Sequence, residues 1–326
     1  MTPPGHGGND EEPTISAISG GPTRTGAPTR PPRLTGGMTT APDDAPAARL
    51  TSYEHDGLTF DVRDEGPLDG EPVVLLHGFP DGPASWNHVV PVLTAAGLRV
   101  LVPAQRGYSP GARPQERSAY RLDTLARDVL ALADAAGLDT FHVVGHDWGG
   151  GVAWQLGIAH GRRLRTLTVV STPHPRAMVA AMTHSTQALR SWYMAVFQIP
   201  RFAEWNLHLR GGELFARNLE KGGLPKAEAE AAARLLQEPG AATGALNWYR
   251  AIQVGGLKSA AAVAVPTLYV WSTDDVALGR YAAEHTADWV SGPYRYEVLP
   301  GVSHWIPTEA ADRLAELVLE QVASVA

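Results

Sequence analysis

The segment Gly145-His146-Asp147-Trp148-Gly149 sets a carboxylate between two glycines, after the apolar run Thr140 to Gly145 and before a helix-like stretch. A G-x-nucleophile-x-G pattern in that context marks a sharp turn presenting one side chain at a strand end. Serine usually occupies the central position; here it is Asp147. A serine that opened an epoxide or an alkyl halide would be left as an ether that water does not readily cleave. A carboxylate instead leaves an ester, which a histidine-activated water hydrolyses, so Asp147 suits displacement at saturated carbon. An aspartate here also suits a plain helix N-cap, but the strand-turn-helix context favours the nucleophile.

Such a nucleophile needs a base and an acid to orient it. His304 lies in GVSHWIP after the last strand-like run, and Asp274 and Asp275 follow the run Pro266 to Trp271. Nucleophile, acid, histidine is the chain order expected when each residue sits on a successive strand end. The spacing favours Asp275 over Asp274. Upstream, His77-Gly78-Phe79-Pro80 ends another strand-like run, where the N–H of Phe79 can join that of Trp148 in an oxyanion hole. The remaining histidines show no metal-ligand spacing and there is no cysteine, so neither a metal nor a cofactor is implied.

The elements that must hold these residues read as a mostly parallel α/β fold. Strand-like runs begin at Leu58 and recur at Pro72–Leu76, Leu98–Ala104, Thr140–Gly145, Leu164–Ser171, Pro266–Trp271 and Tyr294–Gly301. Leu122, Leu125, Val129 and Leu132 recur at helical spacing, as a crossover between parallel strands requires. Leu314, Leu317, Val318, Val322 and Val325 outline a closing helix. The strand pattern lapses after Pro173, which predicts a core over 49–173 and 261–326 and an inserted helical cap over 174–260. Residues 1–48 are rich in Pro, Gly, Thr and Ser and predict a disordered extension, within which Met38 is an alternative start.

Composition narrows the partners. A net charge of -7 without a basic run argues against nucleic acid or an anionic membrane, and no apolar run is long enough to span a bilayer. Small uncharged molecules and a cytoplasmic address are the expectation. The Arg-rich, Ala-, Gly- and Pro-rich usage fits a bacterial source with a GC-rich genome.

HGFP, GHDWGG, WSTDD and GVSHW together resemble the epoxide hydrolases of the α/β-hydrolase superfamily, from about Leu50 to the C-terminus. RGYSP at Arg106–Pro110 is similar to a further family loop, without its usual glycine after tyrosine, and receives no catalytic role. SWYMAVFQIP and LNWYRA resemble the two cap segments that carry the family's active-site tyrosines, which implies Tyr193 and Tyr249. The resemblance implies that these phenols hold the epoxide oxygen while Asp147 attacks carbon, and that Asp275 then orients His304 for hydrolysis to a vicinal diol. Substrate and water would be the only partners, with a role in detoxification or biosynthesis; a homodimer stays compatible with the sequence. Phe79, Trp148, Trp192 and Trp248, with Trp205 nearby, are the expected aromatic lining of an apolar pocket. The rival readings are a haloalkane or haloacetate dehalogenase with the same Asp nucleophile, and a non-catalytic ligand receptor on the hydrolase fold.

Overall fold

The computed structural model describes residues 48–325. The expected extension over 1–48, with Met38, lies outside the described residues except for Ala48. The strands are β1 (Ser52–His55), β2 (Leu58–Glu65), β3 (Pro72–Leu76), β4 (Arg99–Pro103), β5 (Phe141–His146), β6 (Leu164–Val170), β7 (Thr267–Ser272) and β8 (Tyr294–Leu299). They form one sheet in the order β1-β2-β4-β3-β5-β6-β7-β8. Only the β1–β2 and β2–β4 pairings are antiparallel.

Strands β4, β5 and β7 are buried at every residue, which is why they read as continuous apolar runs rather than alternating ones. The alternation is there, but between two cores. Val73 and Leu75 of β3 enter the apolar cluster on one face, Val74 and Leu76 the cluster on the other. Helices α1 (Val90–Ala95) and α14 (Ala311–Ala323) cover the first face, α2 (Leu122–Ala135) and α3 (Trp148–His160) the second.

Strand β1 departs from the expected start at Leu58. Its partner β2 is reached through the two-residue loop Asp56-Gly57, whose φ values of 57° and 72° are those of a type I′ turn. The Asp-Gly pair was the available signal, and a four-residue strand is too short to announce itself by periodicity.

Between β6 and β7 the chain adds no strand to the sheet. It forms α4 (Pro175–His184), α5 (Gln187–Arg190), α6 (Trp192–Phe197), α7 (Phe202–His208), α8 (Glu213–Lys221), α9 (Lys226–Gln237), α10 (Ala241–Arg250) and α11 (Val254–Ser259). The short helices α12 (Arg280–Glu284) and α13 (Ile306–Glu309) follow β7 and β8. Among the described residues no helix is long and apolar enough to cross a membrane.

Phe79 follows β3, Asp147 follows β5, Asp275 follows β7 and His304 follows β8. Because β3, β5, β6, β7 and β8 run parallel, all four residues leave the carboxyl edge of the same sheet.

Candidate active site

Asp147 occupies the turn between β5 and α3 with φ 50° and ψ −119°, a conformation that costs a non-glycine residue about 1–3 kcal/mol. Hydrogen bonds hold its backbone on both sides. Asp147 N–H donates to Val170 O at 3.3 Å, and the Thr172 hydroxyl donates to Asp147 O at 2.6 Å. The glycines answer a spatial demand as well as a conformational one. A Cβ on Gly149 would lie 2.1 Å from Leu76 O, and one on Gly78 would lie 2.4 Å from Asp147 Cβ.

The two carboxylate oxygens of Asp147 are not equivalent. Oδ1 accepts the backbone N–H of Phe79 at 2.8 Å, whereas Oδ2 stands 3.5 Å from His304 Nε2. Trp148 opens α3, so its N–H has no intrahelical acceptor and belongs to the free end of that helix. On the other side of the imidazole, His304 Nδ1 lies 2.8 Å from Asp275 Oδ2. Asp275 Oδ1 accepts from the N–H groups of Ala277 and Leu278, both at 2.8 Å. Asp274, by contrast, is exposed, and its carboxylate accepts a bond only from the neighbouring Thr273 hydroxyl.

Electrostatics follow from this row of groups. Burial alone would raise the Asp147 carboxyl, but the approach and charge of His304, helped by His146 and the Phe79 N–H, hold it below its ordinary range. Burial alone would lower His304, and the charge of Asp275 with the contact to Asp147 instead holds it well above an ordinary histidine. His304 thus stands between the side chains of Asp147 and Asp275.

Tyr193 on α6 and Tyr249 on α10 stand with ring centroids 6.1 Å apart. Burial raises both phenols, and the charge of Asp147 raises each further, so both stay protonated and near the carboxylate. Their rings belong to an aromatic wall. Phe79 packs against Tyr249 at 5.3 Å and Trp148 against Tyr249 at 4.9 Å.

Trp192 does not join this wall: its residue surface is 68% exposed. Consecutive residues on a helix diverge by about 100°, so turning Tyr193 inward turns Trp192 out. Trp205 is likewise 56% exposed. Trp248 is buried behind Trp148, ring centroids 5.9 Å apart, and its Nε1 donates to Arg106 O at 2.8 Å. That bond ties α10 to the RGYSP loop.

Phe197 and Phe215 take the places expected of the exposed tryptophans, 5.6 Å and 6.1 Å from Phe79. Phe197 follows Tyr193 by four residues on α6, a same-face spacing visible in the sequence; nothing comparable marks Phe215. Asp81 was also unmarked. Its Oδ1 is buried without a hydrogen-bond partner, and burial, reinforced by the charge of Asp147, pushes its pKa up to about 7.

Residues 71–311 match the sequence profile of the alpha/beta hydrolase fold. Epoxide hydrolase A of Mycobacterium tuberculosis is 31% identical over 319 residues, spanning 85% of this chain and 97% of that protein. The chain belongs to the epoxide hydrolases of the α/β-hydrolase superfamily. A Bacillus subtilis relative, the AB hydrolase superfamily protein YfhM, is 34% identical over 270 residues, spanning 81% of this chain and 94% of the relative. Among solved structures, one from work on novel epoxide hydrolases in hot-environment metagenomes superposes with a TM-score of 0.73. It shares 29% identity and covers 84% of this chain and 98% of that one. Epoxide hydrolase A from Mycobacterium thermoresistibile gives 0.71 at 26% identity, with 84% and 98% covered. For an epoxide hydrolase, an aspartate in the elbow with two protonated phenols within reach of its charge is a coherent set of groups.

Proposed function

We propose that this protein hydrolyses an epoxide to a vicinal diol through an alkyl ester on Asp147. The observation that carries the reading is the pair of phenols, half-buried Tyr193 and buried Tyr249, both acted on by the charge of the Asp147 carboxylate, whose Oδ1 is already held by the Phe79 N–H. Oδ2 attacks a ring carbon, the carbon–oxygen bond breaks, and the departing alkoxide takes a proton from a tyrosine. With Asp147 esterified, a proton held by His304 passes to the tyrosinate left by the first step, so tyrosine and imidazole are both neutral again. Neutral His304 then takes a proton from water, and the resulting hydroxide adds to Asp147 Cγ. The negative oxygen forms at Oδ1, facing the N–H groups of Phe79 and Trp148. Collapse breaks the Cγ–Oδ2 bond; the departing oxygen takes a proton from His304, and the new Asp147 carboxyl gives its proton back to His304, which releases the diol and restores the carboxylate and the imidazolium. The helices over 174–260 serve as the cap that brings the tyrosines to the core.

A halide leaving group needs no proton and gives the phenols no work. Phe79 packs its ring against Phe197, Phe215 and Tyr249 and has no side-chain donor for a halide. A haloacetate would call for a cationic clamp, whereas the group that acts most on Asp147 is the catalytic-site histidine His304 rather than an arginine or lysine.

The decisive experiment is the intact mass of the His304→Gln variant after incubation with separate panels of epoxides and alkyl halides. An adduct equal to a whole epoxide is expected. An alkyl adduct lacking its halogen would make the protein a dehalogenase, and no adduct from either panel would favour a ligand receptor.

A further inference from the structure

Gln187 in α5 is almost completely buried, 1% exposed, and its amide reaches both the end of its own helix and a loop of the core. Its Nε2 donates to Ala277 O at 2.7 Å and to Ser191 Oγ at 3.0 Å, and its Oε1 accepts the N–H of Gly279 at 2.8 Å. A side-chain amide here reads a strip of backbone as a neighbouring strand would. The strip is the loop after β7 that begins with Asp275, whose carboxylate folds the loop onto itself by bonding Ala277 and Leu278. One turn further along α5, Arg190 Nη1 donates to Asp275 O at 2.9 Å. On the opposite side of the tie, Ser191 is the residue immediately before α6, and Tyr193 is two residues beyond it.

The chain between β6 and β7 therefore grips the loop of the triad acid immediately before presenting a phenol. We propose that Gln187 is a positioning residue that locks the Tyr193 segment to the Asp275 loop, so that one hydrogen-bonded unit registers the epoxide-opening phenol with the hydrolytic histidine–acid pair. The functional half of this inference rests on the epoxide-hydrolase reading; the lock itself does not. Breaking a buried amide that satisfies three backbone or hydroxyl groups leaves those groups unpaired, which loosens both ends of the tie together.

The test uses the full chain and the near-isosteric variant Gln187→Met, which keeps the packing and removes the amide. Amide hydrogen exchange by mass spectrometry is expected to rise about tenfold in two separate segments, 277–279 and 191–197, with the strands of the sheet unchanged. Gln187→Glu, which retains the acceptor for Gly279 but loses the donor, should fall between the two. Unchanged exchange, or a rise confined to 277–279, would overturn the lock. This arm needs no substrate, so it stands even if no epoxide reacts.

The second arm measures single-turnover ester formation with an epoxide that alkylates the wild type. Gln187→Met should slow ester formation about tenfold, the scale of a modest misalignment of reacting groups. The effect should disappear when Tyr193 is already phenylalanine and persist in Tyr249→Phe, a coupling that general loss of stability does not produce. Equal losses in all three backgrounds would remove the link to Tyr193.

Discussion

The backbone N–H of Phe79 donates to Asp147 Oδ1 at 2.8 Å, so the two oxygens of the nucleophile are distinguished before any substrate arrives. In the mechanism proposed above, Oδ1 is the oxygen that becomes the oxyanion and Oδ2 the one that attacks. Water would then add to Cγ, and the diol would depart with the Asp147 oxygen that attacked. A single turnover in heavy-oxygen water should leave the first diol unlabelled and place the label in Asp147, read by mass spectrometry of the peptide carrying it. Label in the first-turnover diol would mean direct attack of water on the epoxide.

Tyr193 and Tyr249 stand with their ring centroids 6.1 Å apart, and both phenols are raised by burial and by the Asp147 charge. Protonated phenols can steady and protonate an alkoxide, a contribution on the order of a hundredfold or more. Tyr193→Phe and Tyr249→Phe should each slow ester formation about a hundredfold, and the double variant should nearly abolish it. Hydrolysis of ester already formed should change little. Full epoxide turnover in the double variant would assign the proton to another group.

The adjacent acids after β7 differ sharply in their bonds. Asp275 Oδ2 meets His304 Nδ1 while its Oδ1 holds Ala277 and Leu278; Asp274 is exposed. Asp275→Asn can present an amide N–H to His304 and so stabilise the wrong tautomer, with an expected loss of about 1,000-fold or more in turnover and accumulation of the ester. Asp274→Asn should keep rates within about twofold, as surface replacements away from a network usually do. The reverse pattern would move the acid one residue upstream.

The parallel sheet was legible because its strands are covered on both faces and so spell out uninterrupted apolar runs. The strand-end positions of Asp147, Asp275 and His304 were legible from chain order for the same reason. Spacing favoured Asp275 over Asp274, but the contacts that make it the acid, to His304 Nδ1 and to the N–H groups of Ala277 and Leu278, come from a folded loop with no sequence periodicity. Phe215 and Asp81 acquire their surroundings only from tertiary packing. Trp192 shows the converse: a tryptophan beside a tyrosine looks like pocket lining until the helix turn separates them.

His77, His142, His146 and His174 are buried, and burial lowers each pKa to about 4. Each therefore stays neutral in the fold at pH values where the unfolded chain, with an ordinary value of 6.5, binds a proton. Between pH 6.5 and 4 the unfolded state holds more protons at these sites, so their contribution to stability is full above that window and is lost as pH falls through it. The limit is about 1.4 kcal/mol per pH unit for each histidine. Asp81, pushed up to about 7, acts oppositely: folded, it keeps a proton that the unfolded carboxyl releases above its ordinary 3.8, so it favours the fold more as pH falls. One carboxyl offsets one histidine, and the others are uncompensated. The melting temperature should decline as pH is lowered from 6.5 toward 4. His142→Gln, away from the elbow and able to keep a bond to Thr166 Oγ1, should flatten that decline. A melting temperature that is flat across the window would show that the buried imidazoles take up protons in the folded protein.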